Sequence, residues 1–191
     1  MGFDETFIAS RVEQSSRAVA ALAKQAKVIE RMGRAVRDCF ARGGFVYTCG
    51  NGGSAAEAMH LSEELIGKYK QPRKPYPAVC LNADPTAITC IANDYGYEQV
   101  FARQIEALGR SGDVLVGFST SGESPNVLRA FEMARQRGVV TIGMLGKSGG
   151  KCAAVSDIAL VVDHQATEII QECHQVVLHL ILEAVECEGH A

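Results

Sequence analysis

Phe45-Val46-Tyr47-Thr48-Cys49-Gly50-Asn51-Gly52-Gly53-Ser54 passes from a short, largely apolar run through a glycine loop into a helical pattern. The same succession recurs where Val114 to Phe118 leads through Ser119-Thr120-Ser121-Gly122-Glu123-Ser124-Pro125 into another helix. Further apolar runs lie at Ala78 to Leu81, Val139 to Leu145 and Ile158 to Val162. Runs this short and uniform suit strands buried on both faces, as in a parallel sheet covered by helices. Helical patterns separate them at about 54–69, 84–92, 97–108, 124–137 and 166–188. Strand and helix alternation predicts an α/β fold with a doubly wound, parallel, five-stranded sheet of the flavodoxin-like kind. Ligands of such sheets bind beyond the carboxyl ends of the strands, where these two loops fall.

Before the sheet, residues 5 to 41 read as two helices. Ile8, Val12, Val19, Leu22 and Ala23 form one stripe; Val28, Ile29, Met32, Val36 and Cys39 form another, and Gly43-Gly44 ends it. The expected organisation is a helical extension at 1–42, packed on a ligand-binding domain at 43–191, as one structural unit. The extension's apolar stripes predict contacts between copies of the chain.

The 191 residues, 47% of them apolar, are enough for a substantial core, and a net charge of −3 without a basic cluster argues against nucleic acid or an anionic membrane surface. Seven cysteines without a C-x-x-C pair fit reduced thiols in a cytoplasmic protein. The first ten residues carry Asp4 and Glu5 and no long apolar run, so neither a signal peptide nor a membrane span is expected.

Each glycine or serine loop sets small residues, free N–H groups and hydroxyls at a helix N-terminus, which favours a phosphate. Capping accounts for part of this. Ser54 with Glu57 reads as a capping box, and Ser124 before Pro125 as an N-cap. Capping leaves Ser119, Thr120 and Ser121 unexplained, and two such loops point to a phosphorylated, polyhydroxylated ligand. Neither loop has a dinucleotide or Walker-type pattern, so the phosphate belongs to a substrate.

His60 and Glu64 are spaced to share one face of the helix that begins near Ser54, with Glu63 adding to an acidic patch, and such a pair can chelate a divalent metal. Such spacing is also common in solvent-exposed helical pairs. The last helix carries Gln171, Glu172, His174 and His179 among apolar residues. Gln171 and His179 are two turns apart, roughly 12 Å along the axis. They could serve one site by leaning together or by coming from different subunits. His164 and His190 read as solvated.

Taken together, C-G-N-G-G-S ending at Ser54, H-L-S-E-E-L at 60–65, Ala92-Asn93-Asp94, S-T-S-G-x-S ending at Ser124, and Gln171-Glu172 with His179 resemble the bacterial phosphoheptose isomerases of the sugar isomerase (SIS) domain superfamily. The resemblance covers nearly the whole chain. It implies that Asn51, Gly52, Gly53, Ser54, Asn93 and Asp94 meet the sugar, and that Ser119, Thr120, Ser121 and Ser124 hold its phosphate. It also implies that His60, Glu64, Gln171 and His179 surround one zinc ion per subunit, with Gln171 and Glu64 also on the substrate side. Glu64 and His179 would form the catalytic pair, in a homotetramer with sites at subunit interfaces. Lys68 and Ile169 stand where the family often has arginine, and both lose a planar bidentate donor.

The implied activity is the aldose–ketose isomerisation of sedoheptulose 7-phosphate to D-glycero-D-manno-heptose 7-phosphate, supplying surface glycans such as lipopolysaccharide. It needs a base beside the carbonyl, assigned to Glu64, and a group polarising the oxygens, assigned to His179. Two rivals are an isomerase of another phosphosugar and a non-catalytic SIS regulatory module. Modules of that kind lack the complete His-Glu-Gln-His set.

Overall fold

The computed structural model describes residues 2–187, and the apolar runs are its strands: β1 (Val46–Gly50), β2 (Ala78–Cys80), β3 (Val114–Ser119), β4 (Val140–Gly146) and β5 (Ile158–Val162). All pairings are parallel, in the order β2-β1-β3-β4-β5. Every residue of β1 and β3 is buried, which is why these runs lack the alternation of a half-exposed strand. The chain leaves β1 toward the β2 edge and returns on the other side at β3, so the sheet's switch point lies between β1 and β3. Their register pairs Gly50 with Phe118, so the glycine loop and the serine loop emerge side by side.

The helices are α1 (Glu5–Ala21), α2 (Ala26–Ala41), α3 (Gly53–Ile66), α4 (Pro85–Tyr95), α5 (Ala102–Leu108), α6 (Pro125–Gln136), α7 (Gly150–Val155) and α8 (Thr167–Glu186). One core unites α2, α3 and α8 with strand residues such as Val116, Phe118 and Met144. A second unites α5, α6 and α7 with Tyr47, Leu115 and Leu145. Successive strand residues face opposite cores, so both faces of the sheet are covered.

Several expected boundaries shift. The pattern at 97–108 divides into a short 3₁₀ turn at Tyr97–Gln99 and α5. The pattern at 54–69 stops at Ile66, and residues beyond it form a loop before β2. The six-residue α7 is too short to show a helical period. The two N-terminal helices also differ in kind. Met32, Val36 and Cys39 of α2 are core residues, and Gly33 lets α8 approach so closely that a Cβ there would lie 2.5 Å from the Ala184 methyl. Helix α1 buries no residue and leaves Phe7, Ile8 and Val12 exposed.

All seven cysteines are free; five are buried, and Cys90 and Cys187 are exposed. Among the described residues no helix is long and apolar enough to cross a membrane.

Candidate active site

The glycine loop is shaped by what it must pass. A Cβ on Gly50 would lie 2.6 Å from the Ser54 carbonyl carbon, and Gly52 takes a left-handed φ of +56°. Helix α3 therefore starts two residues earlier than a Ser54 cap would start it, with Gly52 as N-cap. The expected capping box does not form. Ser54 is buried inside the first turn, and Glu57 turns into the interior, where its carboxylate stands 3.7 Å from His174 Nδ1. Both groups are buried, and His174 Nε2 lies 3.1 Å from the Leu145 carbonyl oxygen. His174, rather than His179, is the core histidine of α8. Beneath the loop, burial pushes the Cys49 thiol far up, with Cys80 and Cys152 adding to the effect, so Cys49 is no nucleophile.

Ser119, Ser121 and Ser124 gather their hydroxyls. Ser119 Oγ lies 2.9 Å from Ser124 Oγ and 3.4 Å from Ser121 Oγ, while Gly122 N–H donates to Ser119 Oγ and Glu123 N–H to Ser121 Oγ, each at 3.1 Å. Thr120 follows in the same turn, half-buried. Ser124 is the N-cap of α6 by position, with Pro125 after it, but its hydroxyl faces the serine cluster instead of capping. Asn126 Oδ1 accepts the Val127 N–H at 3.0 Å in its place. The loop's one charged side chain, Glu123, faces away: its carboxylate accepts the Lys151 N–H at 3.0 Å and stands 3.5 Å from Lys151 Nζ.

A reciprocal amide pair joins the loops. Asn51 donates to Asn126 at 2.9 Å, Asn126 donates back at 2.7 Å, and the Tyr97 hydroxyl donates to Asn51 Oδ1 at 3.1 Å. Asn126 and Tyr97 carry no sequence signal of their own; the pairing of β1 with β3 brings Asn126 there, and the packing of the Tyr97–Gln99 turn against α6 brings Tyr97. Asn93 and Asp94 sit exposed near the end of α4, where Asn93 donates to Asp94 at 2.7 Å and the Cys90 thiol lies 3.7 Å from Asp94. Among the described residues their hydrogen bonds do not reach either loop.

Along α3, His60, Glu63 and Glu64 bring one ligand atom each to within 4.8 Å of one another. His60 Nε2 stands 3.6 Å from Glu64 Oε1, and Nδ1 stands 2.9 Å from Gln175 Oε1. An amide oxygen beside Nδ1 suits the tautomer that leaves Nε2 free for a cation. His179 meets His60 edge-on, ring centroids 5.3 Å apart, and stacks on Tyr69 at 5.5 Å and 15°. Gln171 goes elsewhere: its side chain lies against Gly53, where an added Cβ would be 3.0 Å from Cδ. The structure thus clusters His60, Glu63 and Glu64, brings the His179 ring against His60 without joining its nitrogens to that cluster, and sets Gln171 at the mouth of the glycine loop. The nitrogen and oxygen donors of His60, Glu63 and Glu64 suit a zinc ion. Beside Gln171, Glu172 accepts from Arg11 at 2.8 Å; burial pushes its carboxyl up, but Ser15 and Arg11 outweigh that and hold it below the usual range. Lys68 is exposed, and Ile169 is buried in the core of α8.

Comparison with known proteins shows the family. The SIS domain profile matches residues 12–146. The phosphoheptose isomerase of Fusobacterium nucleatum subsp. nucleatum is 42% identical over 163 residues, covering 85% of this chain and 84% of that protein. That of Nitratiruptor sp. is 51% identical over 141 residues, covering 74% and 75%. The solved phosphoheptose isomerase of Neisseria gonorrhoeae superposes with a TM-score of 0.90 at 37% identity, covering 96% of this chain and 98% of that one. With the fold, the paired loops and these relatives in agreement, the chain belongs to the phosphoheptose isomerases of the SIS domain family.

Proposed function

We propose that the protein is an aldose–ketose isomerase converting sedoheptulose 7-phosphate to D-glycero-D-manno-heptose 7-phosphate, and that it supplies heptose for surface glycans from the cytoplasm. The observation that carries this reading is the placing of a hydroxyl-rich loop beside a glycine loop whose helix bears His60 and Glu64. The hydroxyls of Ser119, Thr120, Ser121 and Ser124 receive the phosphate at the N-terminal end of α6, where Pro125 has no N–H and the Val127 N–H is held by Asn126. Asn51, Gly52, Gly53, Ser54 and Gln171 receive the sugar, with Asn93 and Asp94 closing over it.

Glu64 removes a proton from C1, while His179 gives a proton to the C2 oxygen, producing an enediol. Glu64 then returns its proton to C2, and His179 takes the proton of the C1 hydroxyl, leaving the aldehyde. His60, Glu64, Gln171 and His179 would hold zinc, one ion per subunit, and bound zinc would supply Lewis-acid polarisation of the substrate oxygens. His60 and the carboxylate at 3.6 Å support that assignment; for Gln171 it requires the side chain to swing from Gly53. The exposed apolar stripe of α1 supports assembly of copies into a homotetramer, with 1–42 acting as the assembly element on the SIS domain at 43–191. The presence of His60, Glu64, Gln171 and His179 together speaks against a purely regulatory role.

Purified protein incubated with sedoheptulose 7-phosphate should give the aldose by proton NMR. Glu64→Gln should lower turnover by about 10²–10⁴-fold, the usual scale of a lost general base. Incorporation of solvent deuterium at C1 and C2 should fall in parallel. Near-normal turnover by Glu64→Gln would remove Glu64 as the base, and no turnover by the unaltered protein would overturn the substrate assignment.

A further inference from the structure

The loop between α3 and β2 has a basic hub. Arg73 Nη2 donates to the carbonyl of Glu64 at 2.6 Å, Nη1 to that of Leu65 at 2.9 Å, and Nε to Glu186 Oε1 at 2.9 Å. The last carbonyls of a helix lack partners within it and lie at the negative end of its dipole, so a guanidinium there caps α3. Glu186, near the end of α8, reaches the same loop from the other side. Its carboxylate accepts the N–H groups of Tyr69 at 3.1 Å, Lys70 at 2.9 Å and Gln71 at 3.2 Å. The Arg73 and Glu186 side chains are only 12% and 6% exposed. Burial pushes the Glu186 carboxyl up, but the N–H groups of Lys70 and Tyr69 and the Arg73 side chain outweigh it and hold the group below the usual range. The backbone held in this way carries Tyr69, whose ring lies on that of His179. Lys70 closes the outer side, 5.0 Å from the Tyr69 ring centroid and 2.6 Å from Glu183.

We propose that Arg73 and Glu186 are positioning residues for the isomerisation: Arg73 caps α3 on the backbone of Glu64, and Glu186 folds residues 69–71 so that Tyr69 braces the ring of His179. This rests on Glu64 and His179 being the acid–base pair. One buried ion pair thereby ties the base, through its own carbonyl, to the residue that orients its partner. A cap needed only for stability would satisfy the carbonyls of α3 without holding the backbone of the residue stacked on His179.

The test compares the full-length protein with Arg73→Lys and Glu186→Gln, which keep similar bulk but lose the guanidinium fork or the carboxylate. Turnover is expressed per folded molecule, with the folded fraction taken from circular dichroism. Outer groups that orient site residues are typically worth about 10–100-fold. Each variant should therefore lose about that much kcat while KM moves less than about threefold. Amide exchange at Tyr69, Lys70 and Gln71 should quicken in Glu186→Gln, and the ring resonances of His179 should shift in both variants. Tyr69→Phe, which keeps the ring, should retain at least about tenfold more turnover than Tyr69→Leu. Wild-type kcat per folded molecule in Arg73→Lys and Glu186→Gln, or a change confined to KM, would overturn the proposal. If the unaltered protein does not isomerise the sugar, or Glu64→Gln still does, the acid–base reading fails separately. The positioning claim is then decided by the His179 resonances, and unchanged resonances in both variants would refute it.

Discussion

Gly122 and Gly53 both sit in ligand loops, yet alanine should have opposite effects at the two. Gly122 has a φ of +67°, and a Cβ there would collide with the Gly149 carbonyl and lie 2.8 Å from Gly150 N. Neither backbone can yield without moving a second loop. The left-handed conformation costs a non-glycine residue about 1–2 kcal/mol and overpacking about 1–3 more, so Gly122→Ala should lose about 3 kcal/mol of stability. Gly53 opens α3 in ordinary helical geometry, and the atoms in the way belong to the mobile end of Gln171. Gly53→Ala should change stability by less than about 1 kcal/mol while displacing the Gln171 amide and weakening sugar binding. Urea denaturation and substrate titration of both variants measure this contrast. The reverse ranking would show that the serine loop tolerates movement and the glycine loop does not.

At the scale of elements, the meeting of α3, α8 and the loop after α3 has a pH signature. Glu186 is held below its ordinary value of 4.5 in the folded protein. A carboxyl depressed on folding contributes its full stabilisation above the unfolded value and loses it as pH falls through the folded one. The stability gap between the wild type and Glu186→Gln should thus be constant from neutral pH down to about 4.5 and should close below that. Denaturant titrations at stepped pH would show it; a gap that persists unchanged into strong acid would mean that the carboxylate's charge is immaterial.

The same elements show what sequence could and could not convey. Strands buried on both faces announce themselves as apolar runs, and glycine and serine loops as breaks between periodic segments, so the sheet and both loops were legible. His60 and Glu64 were legible because helical spacing is local. Asn126, Tyr97 and Gln175 were not, since each acquires its role from a partner far along the chain. Ser54 with Glu57 had the spacing of a capping box, but glycines ahead of the serine moved the helix start and sent Glu57 inward to His174. Local pattern described the elements well and described poorly which side chains look across between them.

On the scale of the whole molecule, α1 is the anomaly: Ile8 is 45% exposed and Val12 63%, on a helix with no fully buried residue, which meets the core only through partly buried residues such as Ala18 and Val19. A glutamate at such exposed positions should change the stability of an isolated chain by no more than about 0.5 kcal/mol. Within an assembly that covers the stripe, the same charge would be buried without a partner and would split the subunits. If the proposed tetramer forms through this stripe, the double variant Ile8→Glu/Val12→Glu should give smaller species in light scattering at micromolar concentration while its circular dichroism stays native. An unaltered mass would place the interface elsewhere; a monomeric wild type would remove it.

The close contact of Gly33 with Ala184 brings the second helix and the last helix of the chain together across the core. A ribosome makes them in that order, with the entire sheet between. Until α8 is made, the apolar faces of α2 and α3 lack the part of their cover that α8 supplies, although the sheet covers the rest. His179 reaches His60 only when α8 docks. Domains generally fold as units during synthesis, so this unit closes only once α8 has been made. Until then the nascent chain keeps a hydrophobic flank open, the kind of surface that chaperones bind, and the docking that covers this flank also brings His179 to His60.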